Sequence, residues 1–182
     1  MGFEIVALGE IIKIFENNKT SLDELKEVLF SFKCKKNKDE EEFLHYKAID
    51  YEQHNKARTY LLIDENESIV AYFSLAFKSI SLEGISKTKM KQIVGGIKED
   101  KTYSAFLIGH IAKNDNILEE SGDYIISVAE NLLFEAQRIV GGRLIYLDCK
   151  DVPKLRSFYE RNNYKYFNTS ETSNLLQYYK KI

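Results

Sequence analysis

A serine and a glycine at the start of an amphipathic helix are the residues whose position most directly suggests chemistry. Ser121 can cap that helix by accepting a hydrogen bond from a backbone N–H, and Gly122 lets the backbone approach a ligand closely. A helix N-terminus presents unpaired N–H groups that bind phosphate. A strand from Arg143 to Cys149 follows, and α/β proteins bind phosphate-bearing ligands beside the ends of such strands. The segment therefore predicts a cofactor site.

Hydrophobic periodicity predicts the elements that hold this site. The helix from Gly122 has one apolar face, because apolar residues recur at three- and four-residue intervals. These residues are Ile125, Val128, Ala129, Leu132, Leu133, Ala136, Ile139 and Val140. Gly141 and Gly142 predict the end of the helix, and Pro153, the only proline, predicts the first turn of the next one. One face of that next helix carries Leu155, Phe158, Tyr159 and Asn162.

The rest of the chain predicts shorter elements. Two β-rich runs, Tyr60–Ile63 and Ile69–Phe77, flank five polar residues and predict a hairpin. The other elements, in chain order, are a strand at Phe3–Leu8, a short helix at Ile11–Phe15, a helix after a capping box of Ser21 and Glu24, a helix capped by Asp39 and Glu42, an excursion with a short helix at 79–101, a strand at Tyr103–Ile111 and a last strand at Leu175–Tyr179. The helix after Asp39 is predicted to be amphipathic through Phe43, Tyr46, Lys47, Asp50 and Tyr51.

Three short patterns follow one another in the last third of the chain. They are Gly122 at the loop, Ile125-Ile126-Ser127-Val128-Ala129 in the helix, and Ser157-Phe158-Tyr159-Glu160-Arg161-Asn162-Asn163-Tyr164 in the next helix. They resemble the Q/R-x-x-G-x-G/A loop, the L-L-x-x-A helix and the F-Y-x-x-x-G-F motif of the GNAT-family N-acetyltransferases, with Asn163 replacing a glycine. The resemblance covers about residues 102–168. Upstream it depends on the order of elements and on Glu42-Phe43-Leu44 opening a helix ahead of residues 59–63.

The resemblance implies an α/β fold, with a mixed central sheet flanked by helices, as one acetyltransferase domain over residues 1–182. It implies acetyl transfer from acetyl-CoA to a primary amine by direct attack, with Tyr159 protonating the CoA thiolate. The implied cofactor-binding residues are Ile111, Ala112 and Lys113 for the pantetheine and thioester, and Ser121, Gly122, Asp123 and Tyr124 for the pyrophosphate. No Asp or Glu stands inside the strand that ends near Ile111, so the sequence identifies no general base. A water relay or an already neutral amine would be enough.

The loop before Gly122 departs from the family pattern and leaves alternatives open. Leu118, Glu119, Glu120 and Ser121 occupy positions that the family fills with glycines and a basic or amide residue. Carboxylates near a diphosphate cost on the order of 1 kcal/mol each at surface dielectric. One alternative is therefore a catalytically degenerate interaction module with the same fold. Another is a toxin-like acetyltransferase acting on aminoacyl-tRNA, with lysines of residues 33–38 and 87–91 around the RNA.

Single residues with chemical potential also have structural interpretations. Tyr159 is by default a core aromatic of an amphipathic helix. Cys149 ends a buried strand, which favours a packed thiol over a nucleophile. His110 alternates with Gly109 and Ile111 along a strand and has no carboxylate close in sequence, so a structural role is favoured there too.

The composition of the chain limits the functions that it can have. The 182 residues are 44% hydrophobic, with 12 tyrosines and 11 phenylalanines, as in a globular domain. A formal net charge of −2 argues against a dedicated nucleic-acid binder, although tRNA stays open as an acceptor. No N-terminal targeting pattern and no apolar run of membrane-spanning length is found, which predicts a cytoplasmic protein that does not bind membranes. Two distant cysteines predict neither a metal site nor a disulfide. The expected partner is a small-molecule or macromolecular amine, and a homodimer is compatible with the sequence.

Overall fold

The computed structural model describes residues 3–95, 102–117 and 122–182. Its elements, in chain order, are β1 (Glu4–Ala7), α1 (Leu8–Asn17), α2 (Leu22–Phe30), α3 (Lys38–Glu42), a π-helical turn (Phe43–Lys47), α4 (Ala48–Gln53), β2 (Arg58–Ile63), β3 (Ile69–Ser81), α5 (Lys87–Val94), β4 (Thr102–Lys113), α6 (Gly122–Val140), β5 (Leu144–Cys149), α7 (Pro153–Arg161), β6 (Lys165–Thr169) and β7 (Leu176–Lys181). Among the described helices, none is long and apolar enough to cross a membrane.

The strands form one mixed sheet in the order β1-β2-β3-β4-β5-β7-β6. The pairs β1/β2, β2/β3, β5/β7 and β6/β7 are antiparallel, whereas β4 and β5 are parallel. Together with the flanking helices, this confirms the expected GNAT-like α/β fold. The chain divides into two compact units, the first formed by Met1–Ala76 with His110–Ala129 and the second by Phe77–Gly109 with Glu130–Ile182. The strands β3 and β4 and the helix α6 run through both. A single functional domain over 1–182 stays a prediction.

In the first unit, the predicted hairpin is confirmed. The strands β2 and β3 pair from Arg58↔Leu75 to Ile63↔Ile69 and leave a loop at 64–68. The carboxylate of Asp64 closes this loop, because its Oδ1 accepts hydrogen bonds from the backbone N–H groups of Asn66 at 2.9 Å and Ser68 at 2.8 Å.

In the first unit, helical residues pack against the hairpin and form one apolar core with it. Its buried members include Leu8, Leu25, Leu29, Phe32, Phe43, Leu44, Leu61, Tyr72 and Ala112. The helix α1 begins three residues before the predicted Ile11. Ser21 caps α2 as expected, but its Oγ accepts from the N–H of Asp23 at 3.1 Å, not from Glu24 as a capping box would require.

The predicted helix capped by Asp39 differs from the structure in two ways. The helix starts earlier, with Asn37 at the N-cap position and no side-chain cap hydrogen bond. A π-helical turn then interrupts it at Phe43–Lys47. The extra residue in such a turn rotates the buried face, so that His45 is buried while Tyr46, predicted on the apolar face, is 68% exposed.

The second unit contains the elements after the cofactor loop. Parallel pairing places Phe106 of β4 opposite Ile145 of β5. Gly141 and Gly142 end α6 with φ of 74° and 124°, and a Cβ at Gly142 would lie 2.5 Å from Cε2 of Phe106. Only glycine fits that position. Pro153 occupies the first turn of α7 as predicted.

The second unit contains one strand that was not predicted and one helix face that was predicted wrongly. The strand β6 was not expected, because only Phe167 of its five residues is fully buried and no apolar alternation marks it. Ile139 and Val140 were expected on the buried face of α6, but they are 83% and 70% exposed. Periodicity identifies residues that share a face; it does not show where the covering layer ends.

Candidate active site

The end of β4 is fixed by an asparagine that follows the strand. The side chain of Asn114 is buried and donates from Nδ2 to the carbonyl of Ile69 at 2.7 Å. Its backbone N–H donates to the carbonyl of Val70 at 2.8 Å, and its Oδ1 accepts from the N–H of Asn116 at 3.1 Å. The backbone of the preceding residues is thereby held against β3. The predicted thioester-binding residues Ile111, Ala112 and Lys113 lie here, with Ala112 in the core of the first unit.

The segment from residue 33 to residue 41 is tied to this strand end. The N–H of Asp115 donates to the carbonyl of Lys33 at 2.7 Å, and its carboxylate accepts from the N–H of Lys35 at 2.6 Å. Within the segment, Glu41 accepts from the N–H of Cys34 at 2.6 Å. These bonds hold the segment in place, and Lys35, Lys36 and Lys38 are exposed along it.

The predicted pyrophosphate-binding residues begin α6 in the same unit. Gly122, Asp123 and Tyr124 form the first turn, and the Oγ of Ser127 donates to the carbonyl of Tyr124 at 2.7 Å. A helix of this length has a substantial dipole, with its positive end at the first turn. Ser121 and residues 118–120 lie outside the described residues, so the predicted cap and the acidic loop are not tested. The first unit thus contains both predicted cofactor segments.

Tyr159 lies in the second unit as the buried residue of α7. It is 6% exposed, and its ring lies 5.0 Å from Phe158, 5.8 Å from Tyr164 and 5.9 Å from Tyr178 between centroids. Burial raises the pKa of Tyr164, and the nearby charge of Glu130 raises it further. Burial also raises the pKa of Tyr178. Tyr164 and Tyr178 are therefore neutral phenols at physiological pH. A buried aromatic position fits both a packing role and the predicted acid role.

The turn after Tyr159 supports the motif comparison. Asn163, which replaces the glycine of the family motif, has φ of 67°. Asparagine is one of the few residues other than glycine that adopts this left-handed conformation readily. Asn163 can therefore adopt a backbone conformation that glycine also adopts readily, and the N–H of Tyr164 closes the helix end on the carbonyl of Tyr159 at 3.0 Å.

His110 has a carboxylate partner that the sequence did not reveal. Its Nδ1 lies 2.9 Å from Oε2 of Glu40, which also accepts from the hydroxyl of Tyr72 at 3.0 Å. The imidazole stacks on Phe43, with 3.7 Å between ring centroids and 14° between planes. Glu40 belongs to α3 and His110 to β4, seventy positions apart, so no local spacing could have signalled the pair.

The other candidate groups are structural. Burial, aided by the negative charges of Asp148 and Asp151, raises the pKa of the Cys149 thiol to about 11. Burial likewise raises the pKa of Cys34. Both thiols are therefore neutral and poor nucleophiles at pH 7. In residues 3–95, 102–117 and 122–182, no group of three or more potential metal ligands occurs.

A cavity of about 600 Å³ in the first unit lies away from the predicted residues. It is lined by residues of α1, α4 and β2, including Glu10, Lys13 and Arg58. Buried Glu52 at its wall pairs with Arg58 at 3.0 Å and accepts a short hydrogen bond from the N–H of Thr59. Both contacts join α4 to β2, so the carboxylate of Glu52 has a structural role.

Comparison with solved structures gives matches over most of the chain. A tyrosine-to-phenylalanine mutant of the AtaT toxin, bound to the C-terminus of the antitoxin AtaR and acetyl-CoA, is 15% identical, with 84% of each chain covered and a TM-score of 0.63. The present chain and this toxin have the same fold. A tyrosine-to-phenylalanine mutant of KacT gives 20% identity, 82% and 86% coverage and a TM-score of 0.65. AtaT complexed with acetyl-methionyl-tRNAfMet gives 17% identity, 82% and 85% coverage and a TM-score of 0.62. No protein-family model and no curated protein sequence matches the chain.

Proposed function

We propose that this protein transfers the acetyl group of acetyl-CoA to a primary amine. The observation that carries the proposal is the fold, which matches a toxin structure holding acetyl-CoA over 84% of both chains. The two segments that the GNAT resemblance assigns to the cofactor also lie together in one compact unit.

In this proposal the chain holds the cofactor through its backbone. N–H and C=O groups of Ile111, Ala112 and Lys113 bind the pantetheine and polarise the thioester carbonyl. The hydrogen bond from the side chain of Asn114 to the carbonyl of Ile69 keeps this end of the strand in place. The first turn of α6 binds the pyrophosphate with the backbone N–H groups of Ser121, Gly122, Asp123 and Tyr124. Acetyl-CoA, when bound, supplies the activated acyl group.

Tyr159 is proposed as the acid that protonates the departing thiolate. A thiolate with a pKa near 8.5 accepts a proton readily from a phenol, whose pKa of about 10 keeps it protonated at neutral pH. Tyrosine-to-phenylalanine mutants of AtaT and KacT are among the structurally similar proteins. The corresponding test in this chain is Tyr159→Phe.

Charged tRNA is the acceptor class that the structure favours most. Exposed Lys35, Lys36 and Lys38 form a basic stretch beside the end of β4, in the unit that contains the proposed thioester site. A basic stretch of this kind attracts phosphate backbones. A structurally similar toxin, AtaT, has been solved with acetyl-methionyl-tRNAfMet. The α-amine of an aminoacyl ester is also far less basic than a lysine side chain, so more of it is neutral at pH 7.

The proposal is tested with [14C]acetyl-CoA, a set of purified aminoacyl-tRNAs and a panel of small amines. We expect acid-precipitable label on one or more charged tRNAs and stoichiometric release of free thiol. Replacing Lys35, Lys36 and Lys38 together by Gln should weaken tRNA transfer at least tenfold while leaving acetyl-CoA binding intact. Replacing the exposed Lys154, Lys165 and Lys181 by Gln, which lie outside both lysine stretches, is the charge-matched control. Cofactor binding without transfer to any amine would favour the interaction module instead.

A further inference from the structure

We propose that His110 is the general base that takes a proton from the acceptor ammonium, and that Glu40 positions its imidazole for this task. The inference rests on the proposed acetyl transfer and supplies the base that the sequence did not identify. It starts from a polar cluster of the first unit that joins α3, β3 and β4 through Glu40, Tyr72 and His110.

The hydrogen bond to Glu40 decides which ring nitrogen is basic. An ionised carboxylate only accepts hydrogen bonds, so the 2.9 Å contact with Oε2 of Glu40 places a proton on Nδ1 of His110. The other nitrogen, Nε2, then carries the free lone pair and can accept a proton. Glu40 also stabilises the imidazolium that forms, because its negative charge lies within hydrogen-bond distance.

Glu40 is itself held by a second donor. The hydroxyl of Tyr72 donates to Oε2 of Glu40 at 3.0 Å and to its backbone carbonyl at 2.6 Å. Burial and the charge of Glu40 raise the pKa of Tyr72, so this phenol remains a donor throughout the physiological range. The carboxylate is only 17% exposed in its side chain and is fixed between two donors. Its orientation toward His110 is therefore built into the fold.

Packing restrains the imidazole without burying it. One ring face stacks on buried Phe43 at 3.7 Å, which fixes the ring plane. The side chain nevertheless keeps 30% of its surface exposed, so protons can leave to solvent. A histidine needed only for packing would gain nothing from that exposure. His110 also immediately precedes Ile111, the first residue of the proposed thioester-binding stretch.

Among the described residues, the charged group bonded to the imidazole of His110 is Glu40. Glu40 faces it from α3, and Tyr72 lies behind Glu40 on β3. Cys34, in the segment after α2, senses the charge of Glu40 and has a raised pKa, mainly through burial. Tyr72 and Cys34 are thus neutral near pH 7. Lys113, further along β4, has interactions of its own.

The proton balance of the step is complete. The acceptor ammonium loses one proton to Nε2 of His110, and the nitrogen lone pair forms the C–N bond to the thioester carbonyl. As the tetrahedral intermediate collapses, the C–S bond breaks. The nitrogen loses a second proton and the leaving thiolate gains one. The products are the N-acetyl amide, CoA thiol and one proton, which His110 releases to solvent.

The first test uses methionyl-tRNA as the probe amine and compares His110→Gln with wild type between pH 5.5 and 8.5. Glutamine can still donate to Glu40, so the fold and the acetyl-CoA dissociation constant should change less than twofold. At pH 6, where an α-amine is mostly protonated, kcat should fall about a hundredfold. The loss should shrink toward pH 8.5, because the amine then arrives neutral. His54→Gln, whose side chain is 62% exposed, is the matched control and should stay within twofold.

Glu40→Gln tests the positioning role separately. It should lower kcat about tenfold, because the imidazole loses the carboxylate that orients it. An independent readout is nitrogen-15 NMR of the three histidine rings at pH 8, assigned with His110→Gln. We expect the Nδ1–H tautomer for His110.

Three results would overturn the inference. They are an Nε2–H tautomer, a pH profile of His110→Gln that matches wild type within threefold, or an equal loss at every pH. A wild-type protein that acetylates no amine overturns the acetyl transfer and this inference together. Transfer by wild type with an unchanged His110→Gln variant overturns the inference alone.

Discussion

The end of β4 in the first unit and the aromatic cluster of Tyr159 in the second unit are built in opposite ways. Directional hydrogen bonds from Asn114, Asp115 and Glu40 fix the first. Packed rings form the second, and burial raises the pKa of the phenols Tyr164 and Tyr178 there. A group that must take up and release protons needs a charged partner and solvent. A phenol that must remain protonated needs burial, because burial disfavours its charged form. The first region therefore has the features that the proposed base needs, and the second has those that the proposed acid needs.

The most damaging change to the aromatic side of this comparison is Tyr159→Phe. The variant keeps the ring and its contacts with Tyr164 and Tyr178 and removes only the hydroxyl. Turnover should fall about a hundredfold, the usual scale for general acid catalysis, while the melting temperature and cofactor affinity change little. Tyr166→Phe is the control, because that tyrosine is 46% exposed on β6 of the same unit. Turnover within threefold of wild type would make Tyr159 a core aromatic only.

The hydrogen-bonded side is tested by Asn114→Ala. The variant leaves the carbonyl of buried Ile69 without its partner and removes the side chain that accepts from the N–H of Asn116. An unsatisfied buried group costs about 1–3 kcal/mol, so we expect a loss of about 2 kcal/mol in urea unfolding. Asn66→Ala is the control, because only its backbone N–H is bonded in the hairpin loop. A loss below about 0.5 kcal/mol would show that the strand end is held by other contacts.

A smaller effect is expected at Cys149, which lies in neither region. Cys149→Ala should cost about 1 kcal/mol through a small cavity and leave any transferase activity intact. The folded thiol keeps its proton to about pH 11, whereas an unfolded thiol ionises near 8.5. Wild type should therefore lose stability relative to Cys149→Ala as the pH rises through this window. Inactivation of a folded variant, or an acetylated Cys149 peptide, would show that the thiol carries the acyl group.

The smallest effect concerns the acidic loop before α6. Glu120→Gly removes a carboxylate near the proposed pyrophosphate position and frees the backbone there. Acetyl-CoA binding should tighten several-fold, since each like-charge contact costs on the order of 1 kcal/mol at surface dielectric. Glu171→Gly, in the turn between β6 and β7, is the charge-matched control and should leave the affinity unchanged. Equal affinities of Glu120→Gly and wild type would mean that the loop carboxylates lie away from the phosphates.

How well each region could be predicted depended on how far apart in sequence its interacting residues are. The hairpin at Asp64 and the helix end at Gly141 depend on neighbours in sequence, and both were predicted correctly. The strand β6 was missed because its stability comes from pairing with β7, not from its own pattern. The face of the helix after Asp39 was misjudged because a π-helical turn is invisible to a 3.6-residue period. The His110–Glu40 pair joins two elements far apart in sequence, so only the fold could bring it to notice.

Titration calorimetry with acetyl-CoA tests the central claim most directly, because every proposed step begins with this cofactor at the end of β4 and the start of α6. We expect one site per chain with a dissociation constant in the micromolar range or weaker, and thermal stabilisation that grows with ligand. At about one hundred times the dissociation constant, the fold should gain about 2.7 kcal/mol. No heat and no stabilisation at millimolar acetyl-CoA would contradict the account and leave a GNAT-like fold without acetyltransferase chemistry.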